Sequence, residues 1–227
     1  MPNPKKVFWV CDLGETSYQE AFEIQKKIRH LRIAKTIPDL FFFTSHLPIF
    51  TLGKRPCEED FLSSREEISK EEIEIFQSNR GGKITYHGPG QIVGYFIFDL
   101  RSHKLKIPQF INKIEEILIL TLQDLNLEAR RDAEYPGVWV HQKKIAALGL
   151  HFDRGVSIHG FSLNVNPNLE HYRHIVPCGI QGREVTSLLA ENKLSQSAQI
   201  KKSILQNLQN IFSLSAEKKK ANFFNLF

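Results

Sequence analysis

The chain has 227 residues, of which 41% are hydrophobic, and this combination fits one globular domain with a sizeable core. Its net charge of +5 favours an acidic partner, but apart from the run 218–220 the basic residues are spread along the chain, so we expect no nucleic-acid binding. Three cysteines without paired spacing, Cys11, Cys57 and Cys178, argue against a disulfide framework and predict a reducing compartment, the cytoplasm. The first twelve residues contain only a short apolar run, 7–10, so neither a signal peptide nor a membrane span is predicted.

The first part of the chain predicts a strand, a helix and a second strand. Residues 6–13 alternate loosely between apolar and polar and predict a strand that ends at Gly14. Two overlapping capping boxes within 16–20 precede apolar residues at helical spacing, which predicts an amphipathic helix to about residue 35. The apolar run 40–44 then predicts a buried strand.

The middle of the chain predicts two more helices around a central strand. The charged segment 64–76 predicts a short helix that opens with a capping box of Ser64 and Glu67. Residues 92–100 are almost continuously apolar and predict a central strand. A stripe of isoleucine and leucine after Pro108 predicts a helix that packs across the sheet.

The last part of the chain predicts three strands and a helix. Short polar turns separate the strand segments 137–141, 144–152 and 156–165, and the periodicity of 197–212 predicts the helix. Residues 214–227 predict a polar, loosely held C-terminal tail. No repeat or linker divides the sequence, so residues 1–227 predict a single α+β domain.

Residues 80–91 combine four glycines and a proline with Arg, Lys, Thr, Tyr, His and Gln side chains. Gly81 and Gly82 would let the backbone approach a ligand closely, and the residues after them alternate sides if the segment is extended. This mixture favours a binding site. The alternative is a hairpin loop, 88–90, that joins two strands.

Three ordered blocks, 80–95, 137–149 and 159–179, resemble the lipoyl(octanoyl) transferases. The first reads Arg-Gly-Gly-x-x-Thr-Tyr-His-x-x-Gly-Gln-x-Val-x-Tyr. The second runs from Gly-Val-Trp-Val to Lys-Ile-Ala-Ala-Leu-Gly, and the third from His-Gly-Phe-Ser-Leu-Asn-Val-Asn to Pro-Cys-Gly. The similarity spans roughly residues 12–189. It implies a biotin/lipoate protein ligase-like fold, an α+β single domain in which helices flank a mixed sheet.

The resemblance implies that Cys178 is the catalytic nucleophile and that Lys144 is its acid and base. Cys178 lies between Pro177 and Gly179, which leaves the sulfur open on one side. A nucleophilic cysteine must be a thiolate, and a nearby ammonium favours that form. From the residues alone, the cysteine also fits a small core position and Lys144 a surface position. Lys143 would point to the opposite face of the same strand.

The resemblance also implies an acyl-binding site. Small residues in the matched segments leave room for an eight-carbon chain, and Phe161 and Ser162 stand where we expect other small or aliphatic residues in relatives. The implied substrate-binding residues are Arg80, Gly81, Gly82, Lys83, Ile84, Thr85, Tyr86, His87, Ala147, Leu148, Gly149, Gly160, Phe161 and Ser162.

The implied reaction is a two-step acyl transfer without a cofactor, a metal or ATP. An octanoyl group passes from octanoyl-acyl carrier protein to Cys178 as a thioester, and from there to a lysine of a lipoyl domain. The implied acceptors are 2-oxoacid dehydrogenase E2 subunits and glycine-cleavage H protein. Backbone N–H groups near Gly149 and Gly179 are candidate donors to the oxyanion. Two alternatives remain: an ATP-dependent lipoate or biotin ligase, which needs no cysteine, and a non-catalytic acyl-binding protein.

Two other polar groups fit either a functional or an ordinary role. His171 and His174 with Glu170 have the types and spacing of zinc ligands, but no second cluster lies nearby in sequence, so we expect a polar loop. The basic pair 54–55 follows a glycine and fits either contact with an anionic ligand or a solvated turn.

Overall fold

The computed structural model describes residues 6–55, 58–193, 195–221 and 223, which leaves Cys57 outside the described residues. The helices are α1 (Tyr18–Ile33), α2 (Arg65–Lys70), α3 (Ile107–Asp124) and α4 (Ser197–Phe212). The strands are β1 (Lys6–Thr16), β2 (Leu40–His46), β3 (Ile49–Leu52), β4 (Glu74–Gln77), β5 (Thr85–His87), β6 (Gln91–Ile97), β7 (Arg130–Arg131), β8 (Val138–Val140), β9 (Lys143–Asp153), β10 (Val156–Asn164) and β11 (Leu214–Lys218). Across these ranges, no helix combines the length and apolarity needed to span a bilayer.

The strands form a large sheet and a small one. The large sheet has the order β11-β1-β2-β6-β10-β9-β8-β7, and the small sheet has the order β4-β3-β5. β1 is parallel to β2 and β11, whereas β6 is antiparallel to β2 and β10. The predicted mixed sheet with flanking helices is therefore confirmed. β6 lies in the centre of the large sheet, as its apolar sequence predicts.

The two faces of the large sheet are covered by different helices. On one face, α3 and α4 place Phe110 and Leu208 in a core with Phe96 of β6. On the other face, α1 contributes Ile28 to a second core that includes Ile97 of the same strand. Alternate residues of β6 thus enter two cores, which is why residues 92–97 are almost continuously apolar.

β1 runs past its predicted end at Gly14. This glycine has a φ of +69°, and the pairing with β2 shifts register between Asp12 and Glu15, so the strand absorbs the glycine as a bulge. Ser17 then starts α1, because its side chain accepts a hydrogen bond from the Glu20 N–H at 3.1 Å. Of the two predicted helix starts, the structure has the second.

The helix predicted over 64–76 is shorter in the structure. Its capping box is confirmed, since Ser64 Oγ accepts from the Glu67 N–H at 3.2 Å and the Glu67 carboxylate accepts from the Ser64 N–H at 2.8 Å. The helix ends before Glu72, which takes a left-handed φ of +56°. Residues 74–77 instead form β4, an edge strand of the small sheet.

Part of the predicted loose tail, 214–227, is a strand. Leu214–Lys218 forms β11 and pairs in parallel with β1. Leu214 is buried in the core beside α4, and Trp9 Nε1 donates to the Glu217 carboxylate at 3.2 Å. These contacts depend on which strand lies alongside, so the polar composition of the segment does not reveal them. Of residues 222–227, the structure describes Phe223 alone.

Candidate active site

A cavity of about 630 Å³ lies between the small sheet and the neighbouring strands of the large sheet. β5 contributes to its wall from the small sheet, and β9 and β10 contribute from the large one. Both predicted catalytic residues, Cys178 and Lys144, open into this cavity. Most of the predicted substrate-binding residues also line it, namely Arg80, Gly81, Gly82, Lys83, Thr85, His87, Ala147, Leu148, Gly149, Gly160, Phe161 and Ser162.

Ile84 and Tyr86 turn away from the cavity. Both lie in a separate apolar cluster under the small sheet, and Tyr86 Oη is 2.7 Å from Nδ1 of His171. They alternate with Thr85 and His87, which face the cavity, as an extended segment requires. A substrate-binding role for Ile84 and Tyr86 stays a prediction, and the structure places both residues behind the cavity wall.

The double glycine brings the loop 80–83 close to two other segments. The Gly81 N–H donates to the Leu150 carbonyl at 2.9 Å, which joins the loop to β9. A side chain at Gly53 would place its Cβ 2.1 Å from the Gly82 carbonyl oxygen. Backbone therefore packs directly on backbone at this end of the cavity, and only glycine permits it.

The turn 88–90 crosses between the two sheets and does not close a hairpin. β5 pairs with β3, whereas β6 pairs with β2 and β10. Gly90 has a φ of +88°, and a Cβ there would lie 2.1 Å from the Asn166 carbonyl oxygen. The turn thus separates the sheets and leaves the space that the cavity occupies.

Arg80 is buried and fastens the loop to β3. Its Nε donates to Thr51 Oγ1 at 3.0 Å, its Nη2 donates to the Thr51 carbonyl, and its Nη1 donates to the Gly81 carbonyl at 3.0 Å. Burial is the largest cause of the lowered pKa of His87 and of His159, and the positive charge of the Arg80 guanidinium lowers both pKa values further.

Cys178 sits at a strained point of the chain. It lies in the short 3-10 turn Pro177–Gly179 with a left-handed φ of +57°, and Gly179 follows with a φ of +67°. The Cys178 N–H donates to the Ile84 carbonyl at 2.9 Å, which ties the turn to the start of β5. Left-handed backbone is uncommon at a residue other than glycine and costs conformational energy, so the packing around the turn holds it in place. The side chain is half-buried and lines the cavity.

Cys11 is a poor alternative nucleophile. Its side chain is buried in the core under α1. Burial raises the pKa of the Cys11 thiol to about 11, and the neighbouring Asp12 adds to that shift. Among the described residues, Cys178 is therefore the cysteine placed for chemistry.

Lys144 is a buried lysine with a fixed backbone. Its N–H donates to the Glu184 carbonyl and its own carbonyl accepts from the Thr186 N–H, both at 2.9 Å. The Nζ donates to the Pro136 carbonyl at 3.1 Å and lies 4.9 Å from the centre of the Trp139 ring. The side chain is thus held at the cavity by a carbonyl and an aromatic face.

Lys143 has the opposite environment. It is exposed, and its Nζ lies 2.6 Å from the Glu184 carboxylate. The predicted separation of Lys143 and Lys144 onto opposite faces of the strand is confirmed. β9 starts at Lys143, one residue earlier than predicted.

A cluster of histidines and tyrosines lines the end of the cavity beyond β5. Tyr18, His87, Tyr95 and His159 face it, and His46 lies behind them. His46 Nδ1 donates to the Thr16 carbonyl at 3.0 Å, so its Nε2 accepts from Tyr95 Oη at 2.7 Å. Of this cluster, sequence reasoning identified only His87. His159 directly precedes a predicted binding residue, Gly160, but no sequence signal marks Tyr18 or His46.

The imidazoles of this cluster are neutral at physiological pH. Burial lowers the pKa of His46 to about 4 and lowers the pKa of His87 and of His159 well below the ordinary value. Nδ1 of His87 and Nδ1 of His159 are buried and have no hydrogen-bond partner among the described residues. This end of the cavity is polar, because neutral imidazoles and phenol hydroxyls lie there with the Arg80 guanidinium.

The rim of the cavity carries charges of both signs. Arg55 and Glu134 line it from different segments, and both are exposed. The Asp132 carboxylate fixes the Glu134 segment by accepting the Glu134 N–H at 3.0 Å. Lys54 contacts His151 instead, with 3.1 Å between Nζ and Nδ1. Of the predicted basic pair, Arg55 is therefore the residue placed to meet an anion.

His171 and His174 are engaged with protein groups. Nδ1 of His171 lies 2.7 Å from Tyr86 Oη, and Nδ1 of His174 lies 2.8 Å from Ser63 Oγ. Nε2 of His174 lies 3.1 Å from the Glu71 carboxylate. In the described part of the chain, no three His, Cys, Asp or Glu side chains are grouped to hold a metal ion.

Comparison with known proteins identifies the family. Residues 17–209 match the lipoyl protein ligase A/B catalytic domain. The chain is 47% identical over 181 residues to an octanoyltransferase of Caldicellulosiruptor bescii, a match that covers 79% of each protein. It is 36% identical over 228 residues to an octanoyltransferase of Dictyoglomus turgidum, covering 96% of this chain and 97% of the relative. The chain belongs to the octanoyltransferase family.

The fold agrees with this family. A chain from the structure of a bipartite lipoate protein ligase and its E2 lipoyl domain, from Thermoplasma acidophilum, matches with a TM-score of 0.76 and 14% identity. The match covers 96% of this chain and 88% of the other. The predicted family and the predicted lipoate ligase-like fold are both confirmed. As a member of the octanoyltransferases, the chain is an acyltransferase.

Proposed function

We propose that this octanoyltransferase moves an octanoyl group from octanoyl-acyl carrier protein to a lysine of lipoyl domains through a thioester on Cys178. The observation that carries the proposal is that Cys178 and Lys144, which lie on different elements, open into one cavity with most of the segments predicted to bind the acyl group. E2 subunits of 2-oxoacid dehydrogenases and glycine-cleavage H protein are the proposed acceptors. The likeness to a lipoate ligase studied with its E2 lipoyl domain supports that class of acceptor.

In the first step, the Cys178 thiolate attacks the carbonyl carbon of the donor thioester. The new carbon–sulfur bond forms as the bond to the carrier's sulfur breaks, and the departing thiolate takes a proton from the Lys144 ammonium. In the second step, the acceptor amine attacks the acyl carbon and gives its proton to the neutral Lys144. The bond to Cys178 then breaks and restores the thiolate.

The oxyanion donors suggested by glycine placement need revision. The Gly179 N–H already donates to the Val176 carbonyl at 2.9 Å, and the Cys178 N–H donates to the Ile84 carbonyl. In this conformation, neither N–H group is free to donate a hydrogen bond to a developing oxyanion. Gly149 lines the cavity and stays the candidate of the two.

The cavity suits an eight-carbon chain. The Ile84 carbonyl bonds to the Cys178 turn, and His87 lies three residues further along the strand, which is a distance of about 10 Å. Burial of eight carbons contributes up to about 6 kcal/mol at 0.8 kcal/mol per methylene. We therefore place the alkyl chain along β5, starting from the Cys178 turn.

Intact mass spectrometry after incubation with octanoyl-acyl carrier protein tests the proposal. We expect the wild type to gain one octanoyl group that hydroxylamine removes, and Cys178→Ala to gain none. Lys144→Ala should acylate far more slowly, whereas Lys143→Ala, the exposed neighbour on the same strand, should behave as wild type. Transfer to a lipoyl domain without any acyl-enzyme would contradict the thioester route. Transfer that requires ATP and free lipoate would instead indicate a ligase.

A further inference from the structure

The turn that carries Cys178 is bound to a segment outside the motifs of the family resemblance. The Val176 N–H donates to the Asp60 carbonyl at 2.7 Å, and the Leu62 N–H donates to the His174 carbonyl at 2.8 Å. Phe61 and Ile175 form an antiparallel bridge between these two bonds. The chain just before the nucleophile is therefore laid against residues 60–62.

Lys83 holds the same turn from its other side. Its aliphatic stem lies over Gly179, where a Cβ would come 2.2 Å from Lys83 Cδ. Its Nζ lies 3.1 Å from Asp60 and 3.3 Å from Glu59. Asp60 thus bonds to the chain before Cys178 directly, through its carbonyl to Val176, and reaches Gly179 after it only through its carboxylate's contact with Lys83.

The two carboxylates that contact Lys83 differ in how exposed they are to solvent. The Asp60 side chain is 7% exposed, that of Lys83 is 24% exposed and that of Glu59 is 70% exposed. Exposed ion pairs contribute little because solvent screens them, so Asp60 is the partner that fixes the ammonium. The hydrogen bond to Asp60 is also the largest cause of the raised pKa of Lys83.

We propose that Asp60 and Lys83 form a clamp that positions the Cys178 sulfur in the cavity. In this assignment, Lys83 is a positioning residue for the nucleophile, whereas its place in the matched motif predicts substrate binding. The inference rests on the proposed function for the role of Cys178. It adds Asp60, which lies outside the three motif blocks, to the residues on which the reaction depends.

A double-mutant cycle tests the clamp. Lys83→Met keeps the stem over Gly179 and loses the ammonium, and Asp60→Asn keeps the shape and the backbone carbonyl and loses the charge. We expect each to lower the single-turnover rate of acylation about tenfold with KM for the donor unchanged, because a misplaced nucleophile costs rate and not binding. The double variant should be no slower than either single one, because both break one interaction. Glu58→Gln, which removes the exposed pair between Glu58 and Arg65 on the same segment, is the matched control and should match wild type.

Alkylation of Cys178 by iodoacetamide at pH 7 provides a readout that needs no acyl donor. Through direct charge effects alone, Lys83→Met would slow alkylation and Asp60→Asn would accelerate it. The clamp predicts that both variants slow it, since both release the sulfur from its place in the cavity. Opposite changes, or four equal rates, would overturn the clamp. A higher donor KM for Lys83→Met alone would do the same and return Lys83 to substrate binding.

The two proposals fail in different ways. If Cys178 is not the acyl carrier, no variant forms an acyl-enzyme, yet the alkylation cycle still measures the coupling of Asp60 and Lys83. If the clamp is wrong, wild-type acylation proceeds and only the coupling is missing.

Discussion

The Gly137 N–H donates a hydrogen bond to the buried carboxylate of Glu115 at 2.9 Å. This bond fixes the turn whose preceding residue, Pro136, offers its carbonyl to Lys144 Nζ. Arg131 completes the arrangement, with its Nε 3.2 Å from the same carboxylate. A helix residue that never reaches the cavity thus sets the position of the proposed acid and base.

We expect Glu115→Ala to weaken both the fold and the reaction. It leaves the Gly137 N–H unpaired in a buried position, which costs about 1–3 kcal/mol of unfolding free energy. The freed turn should also lower kcat, because Lys144 loses its fixed acceptor. Urea unfolding and steady-state kinetics measure the two effects. Glu115→Gln retains an acceptor oxygen and should recover most of kcat, and equal loss in both variants would contradict this account.

Tyr86→Phe tests whether Tyr86 binds substrate. The change removes the hydroxyl that accepts from Nδ1 of His171 and keeps the ring in its apolar cluster, so we expect a loss of about 1 kcal/mol of stability. Because the ring faces away from the cavity, KM for the acyl donor should not change. Thr85→Val, on the neighbouring residue that does face the cavity, is the comparison. A raised KM for Tyr86→Phe would support the binding role predicted from the motif.

The buried His46 predicts that stability falls in mild acid. Its pKa is about 4 in the folded protein and about 6.5 when unfolded, so between these values only the unfolded state takes up the proton. Stability is therefore lost as pH falls through this range, by about 2 kcal/mol from this residue between pH 7 and pH 5. Unfolding free energies at the two pH values should differ less in His46→Gln. The exposed His30→Gln should keep the wild-type dependence, and equal slopes in all three proteins would refute the prediction.

Ala147→Leu should shorten the preferred acyl chain. Ala147 lines the cavity opposite Ser162 of β10, and a leucine there fills space that the alkyl chain would use. We expect kcat/KM for octanoyl donors to fall about tenfold or more and that for hexanoyl donors to fall less, since each displaced methylene forfeits about 0.8 kcal/mol. Kinetics with six-, eight- and ten-carbon donors measure the shift. Ala190→Leu, on the exposed surface, is the control.

The elements that could be predicted are those specified by local signals. The periodicity of 197–212 predicted α4 at both ends, and the Ser64–Glu67 capping box predicted the start of α2. β11 escaped prediction because its burial depends on β1, its partner in the sheet. Local patterns do not encode such distant pairings.

The residues of the candidate site also fall into those that the sequence could identify and those that it could not. Cys178 and Lys144 were named through the family resemblance, and their meeting in one cavity is a property of the fold. The two-residue alternation of a strand already implied that Thr85 and His87 could not share a face with Ile84 and Tyr86. Tyr18 has no comparable signal, since it reaches the cavity from α1, an element that carries none of the matched motifs.

The parallel pairing of β1 with β11 joins segments 208 residues apart, as the bond from Trp9 to Glu217 illustrates. During synthesis β1 leaves the ribosome long before β11, so its outer edge stays unpaired while most of the domain is made. An open strand edge is a template for association between chains. Until residues 214–218 pair with β1, the open edge of that strand is therefore available for association with other chains. Removal of β11 should lower the soluble yield before it alters the chemistry of the distant cavity.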